Sequence, residues 1–120
     1  LIDLRQKELS DWEEKNFPRN RYENMSKDEL INTVLILQTA LGVVEEAGEI
    51  AHHVLKGSQG IRGGVDGYDK DEITDGVGDV NIYSTQLLSK FNIDAEAGIT
   101  ETIDSVLNRN WQEHPTGKDF

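Results

Sequence analysis

Cysteine is absent from this chain. That excludes disulfides, thiolate metal sites and a cysteine nucleophile together. Only two prolines occur in 120 residues, so little in the composition interrupts helices. Basic residues are scarce: 12 Lys and Arg stand against 23 Asp and Glu, a net charge of −11. Such a chain repels a phosphate backbone unless its basic residues cluster, and they do not, which argues against nucleic-acid binding. A small anionic ligand would need a divalent cation to bring it in. No uninterrupted run of 18 or more apolar residues occurs, so no membrane-spanning segment is expected. The opening Leu1-Ile-Asp-Leu-Arg-Gln-Lys-Glu8 lacks the basic-then-apolar order of a signal peptide. A cytoplasmic setting is therefore expected. Strand-like alternation is missing throughout, and so is any internal repeat.

What remains is helical periodicity broken by turn signals. At this length one domain over residues 1–120 is expected, with a core of its own. Ile2, Leu4, Leu9 and Trp12 suggest a short amphipathic helix over residues 2–16, ended by Phe17-Pro18. Ser26-Lys-Asp-Glu29 has the form of a capping box, with Met25 and Leu30 placed for a hydrophobic staple. From there Leu30, Val34, Leu37, Leu41, Val44, Gly48, Ala51 and Leu55 recur at steps of three and four. They predict one long helix to Lys56, with this stripe against a core and Gly57 as a left-handed stop. Gly42 and Gly48 each cost about 1 kcal/mol against Ala inside a helix, which suggests close approach by another helix or a ligand.

A Gly-rich loop is expected from Ser58 to Asp69; it fits no phosphate-cradling pattern. Asp66-Gly-Tyr-Asp-Lys-Asp-Glu72 lacks the residue order of a calcium loop. Asp69 then caps a helix with Ile73, Val77, Val80, Tyr83, Leu87 and Phe91 on its apolar face. Asp94 caps another, carrying Ala97, Ile99, Ile103, Val106 and Leu107. A polar tail follows His114-Pro115, with residues 115–120 outside the packed part. The expected fold is all-α, a four- to five-helix bundle.

The chemistry concentrates in two places. Val43-Val-Glu-Glu-Ala-Gly-Glu-Ile-Ala-His-His53 puts three carboxylates and two imidazoles on the long helix, with Glu46 and Glu49 leaving the same side. Glu72, Asp75 and Asp79 share one side of the next helix. If the two helices pack antiparallel, four or five carboxylates converge, and without a cation they would repel and take up protons. A hard divalent ion relieves that: Mg²⁺ takes oxygen ligands and keeps waters that substrate phosphates can replace. Such a site suits hydrolysis of a phosphoanhydride. The bland reading is a solvated acidic surface, with Asp71, Glu72 and Asp75 placed by the positive helix end. Glu49-Ile-Ala-His52 has the Glu-x-x-His form of di-iron bundles, but those need two copies and this chain has one. His52 and His53 are accordingly read as standing beside the acids rather than among them.

These residues resemble the all-α NTP pyrophosphohydrolases, the MazG-like proteins and dCTP pyrophosphatases among them, over about Trp12 to Trp111. The family's E-E-x-x-E stands here as Glu45-Glu46-Ala-Gly-Glu49. Its E-x-x-D, with downstream V-L-x-Y and I-D, is matched around Asp79-Val-Asn-Ile-Tyr83 and Ile93-Asp94. The resemblance implies a MazG-like bundle that associates as a homodimer or homotetramer. It also implies Mg²⁺, with Mn²⁺ as a substitute, and hydrolysis of a small-molecule (d)NTP to the monophosphate and pyrophosphate. Glu46, Glu49 and Asp79 become metal ligands. The fourth acid does not transfer, because aligned on Asp79 it falls on Gly76; Asp75 is the favoured replacement, with Glu72 as an outer ligand or the group that positions water. Glu45 could support the ligands from behind. By the same resemblance Trp12, Phe17, Asn108 and Trp111 are placed to read the base, with Lys56 or Arg109 near phosphate. Asp104 stands where the family usually has a Lys. Two rivals fit the same acids: a phosphoribosyl-ATP pyrophosphohydrolase-like enzyme, and a non-catalytic acidic helical interaction module.

Overall fold

The computed structural model describes residues 5–62 and 67–116. Within them the chain is all-helical, with no strand. The order is α1 (Gln6–Asn16), α2 (Asn20–Glu23), α3 (Lys27–Ser58), α4 (Lys70–Lys90) and α5 (Ala95–Leu107). Two compact units divide it, Leu1–Leu35 and Ile36–Phe120, and the boundary falls inside α3.

In the first unit, α1 ends where Pro18 requires, and its C-terminal Phe17 N–H donates to the Glu13 carbonyl. Ile2 and Leu4, expected on this helix, lie outside the described residues. A single helical turn, α2, follows Pro18; its four residues are too few to show periodicity in the sequence. The capping box at Ser26 forms in both directions. The Glu29 N–H donates to Ser26 Oγ (3.1 Å), and the Ser26 N–H to Glu29 Oε1 (3.3 Å). Met25 Sδ accepts a hydrogen bond from Thr33 Oγ1 at 3.7 Å. The charged side chains of α1 pair along the helix, Arg5 with Glu8 and Lys7 with Asp11.

In the second unit, α3 and α4 form an antiparallel pair set by glycines. The Tyr83 ring lies where a Cβ on Gly42 would stand, Ile50 does the same for Gly76, and Tyr68 for Gly57. Each step of seven or eight residues along α3 is matched by seven or eight in the reverse direction along α4. Asp69 caps α4, accepting from the Glu72 N–H at 3.1 Å, and Asp94 caps α5, accepting from the Ala97 N–H at 2.9 Å. Asn92 takes the left-handed conformation (φ 57°) between them, which its short polar side chain tolerates.

Two expectations need correction. α3 does not stop at Lys56: Gly57 is helical and buried, and the left-handed glycine is Gly60 (φ 70°). Gly57 is selected by the close approach of Tyr68 rather than by a turn. The stripe read as facing a core faces solvent, with Leu37, Leu41, Val44 and Leu55 all exposed. The side of α3 packed on α4 is the opposite one, bearing Thr39, Gly42, Glu46, Ile50, His53 and Gly57. No apolar side chain is buried among the described residues. By length and composition alone α3 is also long and apolar enough to cross a membrane, a test that core helices of soluble proteins pass as well. Of the Gly-rich loop, residues 63–66 lie outside the described residues.

Candidate functional site: an acidic cleft between two helices

The antiparallel register carries both acidic rows to the same place. Glu45, Glu46, Glu49 and His53 from α3 and Glu72, Asp75, Gly76 and Asp79 from α4 line one cleft of about 200 Å³. All five acids expected to act as ligands are on its wall. On α3 the spacing 46, 49, 53 keeps side chains on one side of the helix, and 72, 75, 79 does so on α4.

Glu46 and Asp79 are half-buried where the helices meet. The Glu46 carboxyl is held above the ordinary value of 4.5, first by loss of water around it, then by the charges of Asp79, Glu45 and Glu49, and by a side-chain hydrogen bond with Asp79. Glu49, Glu72 and Asp75 stand further out and are exposed.

His53 belongs to the cleft. Its Nε2 lies 3.7 Å from Glu72 Oε2 across the helix pair and 3.9 Å from Glu49 Oε2 one turn back on its own helix. Its neighbour His52 points elsewhere, with Nε2 3.4 Å from Arg62 Nη1. The sequence contains the signal that separates them: His53 is four residues after Glu49 and seven after Glu46, whereas His52 is on an adjoining side of α3.

Gly76 has a packing role. A Cβ there would stand 2.8 Å from Ile50 Cγ1, so no larger residue, acidic or otherwise, fits that position as the helices are packed. The oxygen missing from the E-x-x-D pattern is available one residue earlier, from Asp75 on the same wall.

The oxygen-rich donor set has the chemistry of a hard divalent ion, with His53 as one nitrogen. As they stand, no three Asp, Glu or His side chains among the described residues are gathered closely enough to hold one ion. Closing the set requires Glu49, Glu72 and Asp75 to turn inward. Their exposure leaves room for that, at the cost of side-chain entropy and of the repulsion that a cation would offset.

None of the residues expected to read a base lines this cleft. In the first unit, Trp12 and Phe17 meet edge to face at 5.6 Å, and both are exposed. Trp12 also borders a hollow of about 300 Å³ with Arg5, Glu8 and Leu9. A larger hollow of about 530 Å³ is bounded by residues 5–8 alone, so it is an open surface of one helix rather than an enclosed site. In the second unit, Asn108 closes the C-terminus of α5, and the Arg109 guanidinium lies 5.5 Å from the Trp111 ring centre. Lys56 Nζ donates to Gln59 Oε1 at 3.2 Å, one turn beyond the acids.

No family model, no curated protein and no solved structure matches this chain.

Proposed function

We propose that the acidic cleft hydrolyses a nucleoside triphosphate to the monophosphate and pyrophosphate with the help of Mg²⁺, for which Mn²⁺ can substitute. The reading includes a MazG-like bundle, association into a homodimer or homotetramer, and a role in clearing nucleotides from a cytoplasmic pool. One observation carries it: six carboxylates from two antiparallel helices line a single cleft, where loss of water and then the charges of its neighbours raise the pKa of Glu46. A divalent cation replaces that repulsion with attraction and supplies charge for a polyphosphate.

On this reading Glu46, Glu49, Asp75 and Asp79 would hold the ion, which would neutralise phosphate charge and lower the pKa of water. Glu72 orients the attacking water and takes its proton, and His53, 3.7 Å away, fixes the Glu72 carboxylate. Water adds to the α-phosphorus, the bridging P–O bond to the β-phosphate breaks, and pyrophosphate leaves with the electron pair. A cleft of about 200 Å³ accommodates phosphates and not a whole nucleotide. The base is therefore held outside it, and Trp12, Phe17, Asn108, Arg109 and Trp111 are the residues proposed for that, with Lys56 beside the phosphates.

A second reading, a non-catalytic acidic interaction module, draws on the absence of three gathered donors among the described residues. Incubation with eight (d)NTPs and phosphoribosyl-ATP, in Mg²⁺, Mn²⁺ and EDTA, decides between them. The expected result is metal-dependent pyrophosphate release from at least one (d)NTP. Activity on phosphoribosyl-ATP alone would move the assignment to that enzyme class, and no release from any would leave the module. Glu49→Gln and Asp79→Asn should each lower turnover by more than about 100-fold, beyond the loss typical of groups that only support ligands. Helicity should be unchanged by either. Asp75→Asn should be more damaging than Glu72→Gln; equal and mild effects would show that the fourth ligand is elsewhere.

A further inference from the structure

His53 differs from the rest of the cleft wall in donor type. Of the eight residues lining the cleft, six bring carboxylates, Gly76 brings no side chain, and His53 brings a nitrogen. Its Nε2 lies between two of those carboxylates, 3.9 Å from Glu49 Oε2 and 3.7 Å from Glu72 Oε2. Both separations are longer than a hydrogen bond. They are close to what a shared ion requires. Donors about 2.1 Å from one octahedral ion stand about 3 Å apart when adjacent and about 4.2 Å apart when opposite. The imidazole is the fixed member of the three, with 20 % of its side chain exposed against 58 % for Glu49 and 56 % for Glu72. Turning the two exposed carboxylates inward closes the remaining difference. Glu49 and His53 are also four residues apart on α3, the spacing at which two helical side chains reach one ion.

We propose that His53 sets the ion preference of the cleft: its Nε2 joins Glu49 on a first-row divalent ion, so that Mn²⁺ and Co²⁺ are held more tightly than Mg²⁺. The inference rests on the proposed function for the presence of an ion, and names the residue that selects among ions. Carboxylates give little basis for that choice, because Mg²⁺, Ca²⁺ and Mn²⁺ all accept oxygen. Imidazole separates them. Mg²⁺ takes oxygen ligands and gives up its waters reluctantly, whereas first-row divalent ions bind at sites of mixed nitrogen and oxygen. With Mg²⁺ in the cleft, His53 keeps its place beside Glu72; with Mn²⁺ or Co²⁺ it turns to the ion. His52 does not share this role. It has the same chemistry one residue away, yet it is off the cleft wall, with Nε2 3.4 Å from Arg62 Nη1.

The test reads ion binding by the untagged full chain and no hydrolysis, so this inference and the proposed activity can fail separately. Isothermal titration with Mg²⁺, Mn²⁺ and Co²⁺ compares the wild type with His53→Gln and His53→Phe. Loss of a mere supporting partner of a ligand costs about 10–100-fold, so loss of the imidazole should weaken Mn²⁺ and Co²⁺ by about 10-fold or more. The same variants should change Mg²⁺ affinity by less than about threefold, since that ion does not use the nitrogen. Electron spin-echo envelope modulation of the Mn²⁺-loaded wild type should show a directly bound imidazole nitrogen, and His53→Gln should lose it. The chain has three histidines, so a double variant carrying His52→Gln and His114→Gln retains His53 alone. It should keep the nitrogen signal, and it decides the assignment even where a change at His53 disturbs the helix pair.

Four results would overturn the proposal. A Mn²⁺-loaded wild type without a bound nitrogen would leave the ion to the carboxylates and the proposed hydrolysis untouched. A nitrogen signal lost in the double variant would come from His52 or His114. Equal losses of Mg²⁺ and Mn²⁺ affinity in the His53 variants, with helicity unchanged, would make His53 a support for the carboxylates alone. Binding of no divalent ion at all would remove the proposed function together with this inference.

Discussion

At the scale of single residues, the glycines of the helix pair are sorted by what stands opposite them. Gly76 faces Ile50, and Gly78, two residues on, faces open space. Adding a methyl group therefore has opposite consequences at the two positions. Gly78→Ala should gain up to about 1 kcal/mol from helix propensity alone. Gly76→Ala gains the same propensity but forces Ile50 aside, and overpacking costs about 1–3 kcal/mol, so it should lose stability. Urea unfolding of the two variants beside the wild type measures this; equal gains would mean that the crossing at Gly76 is loose. The same residue shows how legible the site was. Glu46, Glu49, Glu72, Asp75 and Asp79 were readable as one site because helical spacing fixes the side each one leaves from. Gly76 was readable only as a departure from a pattern, since nothing in one helix states which residue of another will press against it. The two histidines were read alike, as standing beside the acids, because the Glu-x-x-His pattern drew Glu49 to His52; His53, one residue on, is the one that lines the cleft.

At the scale of elements, the local signals were reliable and the relations between elements less so. Ser26, Asp69 and Asp94 cap their helices as their side chains require, because capping is settled within four residues. Gly57 looked like a helix stop because glycine's commonest role at a helix end is conformational, yet here the selecting contact is Tyr68, eleven residues away. The pairing of α3 with α4 has a measurable electrostatic consequence. Glu46 holds its proton more tightly when folded than when unfolded, so the folded state binds more protons as pH rises from about 4.5. The contribution of Glu46 to stability is therefore fully present below that pH and is lost as pH rises through the folded-state value. In metal-free buffer, Glu46→Gln should raise the melting temperature at pH 7, and the gain should shrink toward zero below pH 4.5. Thermal unfolding across pH 4–8 tests the sign. A variant less stable than the wild type at neutral pH would mean that Glu46 makes a favourable ionic contact there.

At the scale of the whole molecule, the governing fact is the lack of any buried apolar side chain among the described residues. Periodicity locates the apolar side of a helix but does not state what covers it. The Leu37–Leu55 stripe was legible as a stripe, and its exposure was not, because nothing in one helix states what lies against it. The same stripe gives α3 the hydropathy of a spanning helix, so high average hydropathy and an exposed stripe are one observation seen in two ways. Burying apolar surface is the main favourable term in folding, and conformational entropy of similar size opposes it. The association included in the proposed function would supply burial that the single chain lacks. On that proposal folding and association are one equilibrium, and the melting temperature depends on how much protein is present. Each tenfold rise in concentration should add about 1.4 kcal/mol to the stability of a dimer relative to two unfolded chains. Calorimetry or circular dichroism from 1 to 100 μM should show the melting temperature climbing steadily. A wild type that melts cooperatively at one temperature across the range would mean that the single chain is stable without association.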